Sequence, residues 1–142
     1  MTPAAEHGAQ TLTPAELEFL QQTFDLAREG ETGALGLRID AGVPVNLTNS
    51  SGDTLLILAA YYQHAAAVDL LLARGADTSR INDRGQTALG AAVFRQSEPI
   101  VRALLDAGAD PGGGTPSAVG IAQFFHLDEM SGLLQSPPTT AG

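Results

Sequence analysis

At 142 residues, 44% of them hydrophobic, and with a formal net charge of −9, the chain is one domain's worth of acidic, foldable material. Sixteen acidic residues against seven basic ones, all arginine, repel phosphate backbones and anionic lipid, so neither nucleic acid nor a membrane surface is an expected partner. There is no Cys for a disulfide frame or thiolate metal site, no run of 18 apolar residues, and no basic and apolar leader in MTPAAEHGAQ. A cytoplasmic location is the simplest expectation. With only 5% aromatic residues and no Trp, the core must be built from Leu, Ala, Val and Ile, which suits closely stacked helices better than a roomy cofactor pocket.

Residues 1–12 are small and polar and are expected to be disordered. Thr13-Pro14-Ala15-Glu16 then opens a helix: Thr13 caps, Pro14 suits the first turn, and Glu16 reaches back in a capping box. Leu17, Leu20, Phe24 and Ala27 form its apolar stripe and Gly30 ends it. A shorter helix over residues 31–41 follows, stopped by Gly42. Leu35 and Gly42 stand 33 residues before Val68 and Gly75, so this first pair is a degenerate copy of what comes next. Gln21 and Arg38 replace the Thr54 and Leu71 of the next copy, the polar substitutions an end unit needs.

The stretch Gly52–Asn82 is largely said twice, in register at 33 residues. Gly52, Thr54, Leu56 and Ala59 recur as Gly85, Thr87, Leu89 and Ala92. Val68, Leu71-Leu72 and Gly75-Ala76-Asp77 recur as Val101, Leu104-Leu105 and Gly108-Ala109-Asp110. A fixed period of this size means stacked units, none able to bury its apolar face alone. Each unit reads as turn, helix, tight loop, helix. Thr54 and Thr87 cap first helices over 55–63 and 88–96; second helices cover 65–74 and 98–107, and Gly75 and Gly108 end them at positive φ. The polar segments between units, such as 76–85, read as projecting β-turns or hairpins. A shortened fourth unit aligns Ser117–Ala122 with Thr87–Ala92, and Leu134 with Leu104, at a spacing of 30. Thr115-Pro116 is the competing start for its first helix. Residues 135–142 form a solvated tail.

Together these residues resemble the ankyrin repeat, with its turn Gly and Thr cap, paired alanines, and Leu-Leu-x-x-Gly-Ala-Asp ending. The family's Thr-Pro-Leu-His is altered to Thr54-Leu55-Leu56-Ile57 and Thr87-Ala88-Leu89-Gly90, which lowers expected repeat stability without changing the fold class. The resemblance implies an all-α repeat solenoid over residues 13–134. Four stacked units (about 14–48, 49–81, 82–112 and 113–134) are joined by β-turn or hairpin loops, with the terminal units as caps.

The resemblance also implies a non-catalytic module that binds a partner protein on a concave face and at turn tips. Carried over position by position, the binding residues are Tyr61, Tyr62, Phe94 and Arg95 at first-helix ends, and Asp53, Asp83, Arg84 and Gln86 at turn tips. Phe124 and Phe125 occupy the matching place in the last unit, where packing at the cap is the favoured role. An acidic module of this kind expects a partner with a neutral or basic patch, works as a monomer, and needs no cofactor. The alternatives are a self-associating structural protein, or a small-ligand receptor or enzyme using the cleft.

Motifs for chemistry are thin. His7, His64 and His126 lie far apart without metal-ligand spacing, and His64 reads as structural at a second-helix start. PGGGTP (111–116) lacks the Lys and Ser/Thr of a phosphate loop, and no G-x-S-x-G occurs.

Overall fold

The computed structural model describes residues 12–135, so the expectations for residues 1–11 and 136–142 lie outside the described residues. Within these described residues eight helices follow in order: α1 Pro14–Glu29, α2 Thr32–Asp40, α3 Leu55–Tyr61, α4 Ala65–Ala73, α5 Ala88–Phe94, α6 Glu98–Asp106, α7 Ala118–Phe124 and α8 Asp128–Gln135. They pair as antiparallel hairpins and stack in two layers. The odd-numbered helices pack side by side as one layer, the even-numbered as the other.

The core between the layers comes from the repeated positions. Leu56, Ala59, Ala60, Val68 and Leu71 are buried in one unit, and Leu89, Ala92, Val93, Val101 and Leu104 in the next. Alanine pairs let the first helices approach closely while the paired leucines fill the space behind them. The fourth unit keeps the scheme with Ala118, Ile121, Ala122 and Leu134. Its start is settled by the cap: the Ser117 hydroxyl accepts from the Gly120 N–H at 3.0 Å. Thr54 does the same for Ile57 and Thr87 for Gly90, so the 30-residue spacing is the right one and Thr115-Pro116 belongs to the turn.

Two expectations need correction. The first helices of the central units stop at Tyr61 and Phe94, two residues early, because Gln63 and Gln96 take left-handed φ of 66° and 58°. This lets the next N–H bond back to the helix: His64 N–H reaches Ala59 O at 2.9 Å and Ser97 N–H reaches Ala92 O at 3.0 Å. Second, the apolar stripe of α1 is buried only at Phe24 and Ala27, joined by Thr23. Leu17 is 48% exposed because α1 runs 16 residues against seven in α3, and its first two turns overhang the layer. The segments between units are turns, within the turn-or-hairpin expectation; two of them are closed by a single bridge, Thr48 with Thr54 and Gly114 with Ser117, and no strand forms among the described residues.

Those turns are set by two asparagines 33 residues apart. The Asn49 Oδ1 accepts from the N–H groups of Ser51 and Asp53, and the Asn82 Oδ1 from Arg84 and Gln86, all at 2.9 Å. Each turn hands a bond to its neighbour: Asp83 N–H to Ser51 O at 3.0 Å, and Thr115 N–H to Gly85 O at 2.8 Å. Gly85 is required at this junction. Its φ is +82°, and a Cβ there would collide with the Thr115 carbonyl oxygen.

At the N-terminal cap, the polar replacement Arg38 earns its place through contacts. It donates to Phe19 O at 2.8 Å and to the Thr23 hydroxyl at 3.1 Å, and its guanidinium lies 4.2 Å from the Phe19 ring centroid. His64 is structural too. Its Nε2 stands 2.7 Å from the Arg28 carbonyl oxygen, which α1 leaves unpaired at its C-terminus, and its ring lies against Gly30.

Candidate partner-binding face

The first helices end side by side, and the residues at their ends share a surface. Tyr61, Phe94 and Phe124 close α3, α5 and α7, with Tyr62, Arg95 and Phe125 directly after them as C-caps. In the first unit, Arg28 and Glu29 stand 33 residues before Tyr61 and Tyr62. The helices are held from behind by fully buried alanines and leucines, so this row of ends is fixed by the core.

Across three units the aromatic rings touch in sequence. Tyr62 meets Tyr61 edge-on at 5.1 Å between centroids, and Tyr61 stacks on Phe94 at 6.5 Å with planes 8° apart. Phe94 meets Phe125 edge-on at 5.7 Å, and Phe125 meets Phe124 at 4.9 Å. Contacts of this geometry contribute about 0.5–1.5 kcal/mol each beyond area burial. They fix the rings without hiding them: Tyr62 is 44% exposed, Phe94 43%, Phe125 49% and Phe124 76%. Phe125 packs on Phe94 of the neighbouring unit, in line with the packing expectation, and Phe124 packs on Phe125; both rings stay exposed. Arg95 lays its guanidinium 5.0 Å from the Tyr61 centroid, half-buried on the strip.

The turn residues divide. Asp83 and Arg84 are exposed at the tip and Gln86 is half-buried. Asp53 is not at the tip at all. It is 6% exposed, and its Oδ1 accepts from Asn82 Nδ2 at 2.7 Å, with Arg84 Nη2 at 3.6 Å. Asp53 thus ties two units together and cannot meet a partner while the stack is intact. Gln86 is partly engaged as well, its Oε1 accepting from Asn82 and Arg84 at 3.1 and 3.2 Å.

Two apolar recesses lie at opposite ends of the stack. One, about 390 Å³, lies at the C-terminal end between Pro116, Gly120, Ile121, Phe124 and Phe125. The other, about 470 Å³, lies between α1 and the turn at 47–50, with Leu17, Leu20, Phe24 and Leu47 in its walls and Asp25 and Arg28 at its polar side. Sequence reasoning missed the second recess. The signal was the length of α1, whose Thr13 cap starts it two turns before the first helices of the other units.

Among the described residues, no group of three or more His, Asp or Glu is close enough to share a metal ion, and no helix is long and apolar enough to cross a membrane.

A row of stacked helix pairs with buried Ala-Leu seams and exposed helix ends defines a helical repeat solenoid. Residues 24–113 match the family of ankyrin repeats, in three copies, and the chain belongs to that family. It is also 49% identical over 53 residues to an ankyrin repeat protein of Pseudomonas aeruginosa, PA3287. That match covers 37% of this chain and 31% of the relative, so the chain spans about a third of that relative's length. Repeats of this family are generally protein–protein interaction modules.

Proposed function

We propose that this chain is a non-catalytic binding module that holds a partner protein against the strip Tyr62, Tyr61, Phe94 and Phe125, with Arg95, Asp83, Arg84 and Gln86 as polar contacts around it. The observation that carries this reading is the contiguous exposure of aromatic rings on helix ends fixed by the core. Rings that already touch one another lose little freedom when a partner covers them, so more of the contact energy remains for binding. The net charge of −9 favours a partner with a neutral or basic patch and a rate of association that falls with salt. The module acts as a monomer in the cytoplasm on this reading.

The test is capture from native cytoplasm with wild type beside a Tyr62→Glu/Arg95→Glu variant shown by circular dichroism to be folded. A protein held by wild type and lost by the variant supports the reading; retention by both places the interface elsewhere. One observation favours a second reading, self-association: Phe124, 76% exposed beside an apolar recess, is the kind of end that another unit covers. Sizing over a hundredfold concentration range separates the two, since a constant monomer removes self-association.

A further inference from the structure

The charges around the strip are arranged asymmetrically, and this narrows the chemistry of what it takes. Of the two cations on the row of helix ends, one is ion-paired and the other lies on the strip itself without an ion pair to a described residue. Arg28 pairs with Asp25 at 2.8 Å, and Arg95 lies over the Tyr61 ring. Carboxylates stand at the two ends of the row. Glu29 stands one unit beyond Tyr62, at the matching position. Asp128 and Glu129 open α8, three and four residues past Phe125. All three are exposed, and none is joined to a described residue by an ion pair. The strip is thus an apolar stretch with exposed carboxylates at each end that form no ion pair with a described residue, Glu29 at one and Asp128 and Glu129, in the first turn of α8, at the other.

From this we infer that the occupant is a linear protein segment with an apolar core and Lys or Arg on both sides of it. The inference rests on the binding-face reading above and adds the class of partner. Four centroid steps of 4.9 to 6.5 Å make a strip on the order of 20 Å long, the reach of about six residues of extended chain. Neighbouring units stack at roughly 10 Å, so Glu29 meets a side chain about three residues beyond that core. Aromatic faces also accept cations, so a basic residue that strays onto the strip is still attracted. A second copy of the chain is a poor occupant, because it brings another net charge of −9 to the same field.

The probe is a displayed library of random peptides of roughly ten residues, selected on the folded chain, with affinities of the selected peptides then measured by fluorescence anisotropy. The expected pool carries apolar cores flanked by Lys or Arg. Its members should weaken about tenfold in the variant Glu29→Gln/Asp128→Asn/Glu129→Gln, the sum of three exposed charge pairs. Phe94→Ala should weaken Lys-flanked and Gln-flanked versions of a peptide alike. A selected pool without basic flanks, or binding unchanged in the triple variant, overturns the inference; loss with Phe94→Ala in that case leaves the binding face standing. Peptides indifferent to Phe94→Ala, or no enrichment at all, overturn both.

Discussion

Leu71→Ala probes the repeat register at its most sensitive point. Leu71 is fully buried on α4, and α4 packs against α2, α3 and α6, so this side chain sits on a helix that takes part in two unit interfaces. Truncation removes three carbons, about 2.4 kcal/mol at roughly 0.8 per methylene, before any cavity term. Two flanking helices must move together to close the gap, which makes full collapse difficult and puts the total loss at about 3–4 kcal/mol. That is a large share of the 5–15 kcal/mol typical of a domain. The control is Leu37→Ala on neighbouring α2, where the side chain is 73% exposed and the expected change lies within about 0.5 kcal/mol. Urea unfolding followed by helical circular dichroism measures both. Equal losses for the two variants, or a loss under about 1 kcal/mol for Leu71→Ala, would refute the assignment of Leu71 to the seam between units.

Three further outcomes follow from local geometry. Gly85→Ala should lose at least about 2 kcal/mol in the same assay, from left-handed strain plus the clash with the Thr115 carbonyl, whereas Gly33→Ala, inside α2 with nothing within 4 Å of its new Cβ, should gain about 0.5–1 kcal/mol. Gln96→Gly should gain about 0.5–1 kcal/mol, because φ of 58° strains a residue with a Cβ. The third concerns acid. Hydrogen bonds from Arg74 hold the Asp40 carboxyl below its usual 3.8, and those from the Ser79 hydroxyl and N–H, then Arg80, do the same for Asp77. Carboxyls depressed in the folded state contribute stability that is present above their ordinary value and is lost as pH falls through it and below. Melting temperature should therefore drop below about pH 4, and Asp40→Asn together with Asp77→Asn should flatten that drop.

The fold was legible because its information is periodic. A Thr cap, an Ala pair, a Leu pair and a Gly ending, repeated at fixed spacing, state both the helices and their stacking, and even the shortened unit kept Ser117 and Leu134 in place. The proposed face was legible only as positions. Tyr61, Tyr62, Phe94 and Arg95 could be placed at helix ends by counting, yet their mutual contacts depend on rotamers and on the spacing of helices, which no one-dimensional pattern records. Asp53 shows the limit most clearly. Counting puts it in a polar turn; burial follows from Asn82, 29 residues later, offering its amide from the next turn. The left-handed Gln63, Gln96 and His126 were hidden for a related reason, since this conformation is usually announced by Gly and here three side-chain-bearing residues are forced into it by the loop. Gly90 reads as a simple weakness in a helix, but Ile121 Cδ1 lies 3.4 Å from where its Cβ would be, so it also makes room for the neighbouring unit.

The claim that matters most is that a partner covers the aromatic strip. Oxidative footprinting read by mass spectrometry, on the chain alone and with its captured partner, addresses it directly. Both tyrosines of the chain lie in the strip, and Phe19, an exposed ring elsewhere, serves as an internal reference. Protection at Tyr62, Phe94 and Phe125, with Phe19 and Leu37 labelled as before, is the expected result. Protection at Phe19 and Leu37 while the strip stays reactive would contradict the account and move the interface to the N-terminal end of the stack.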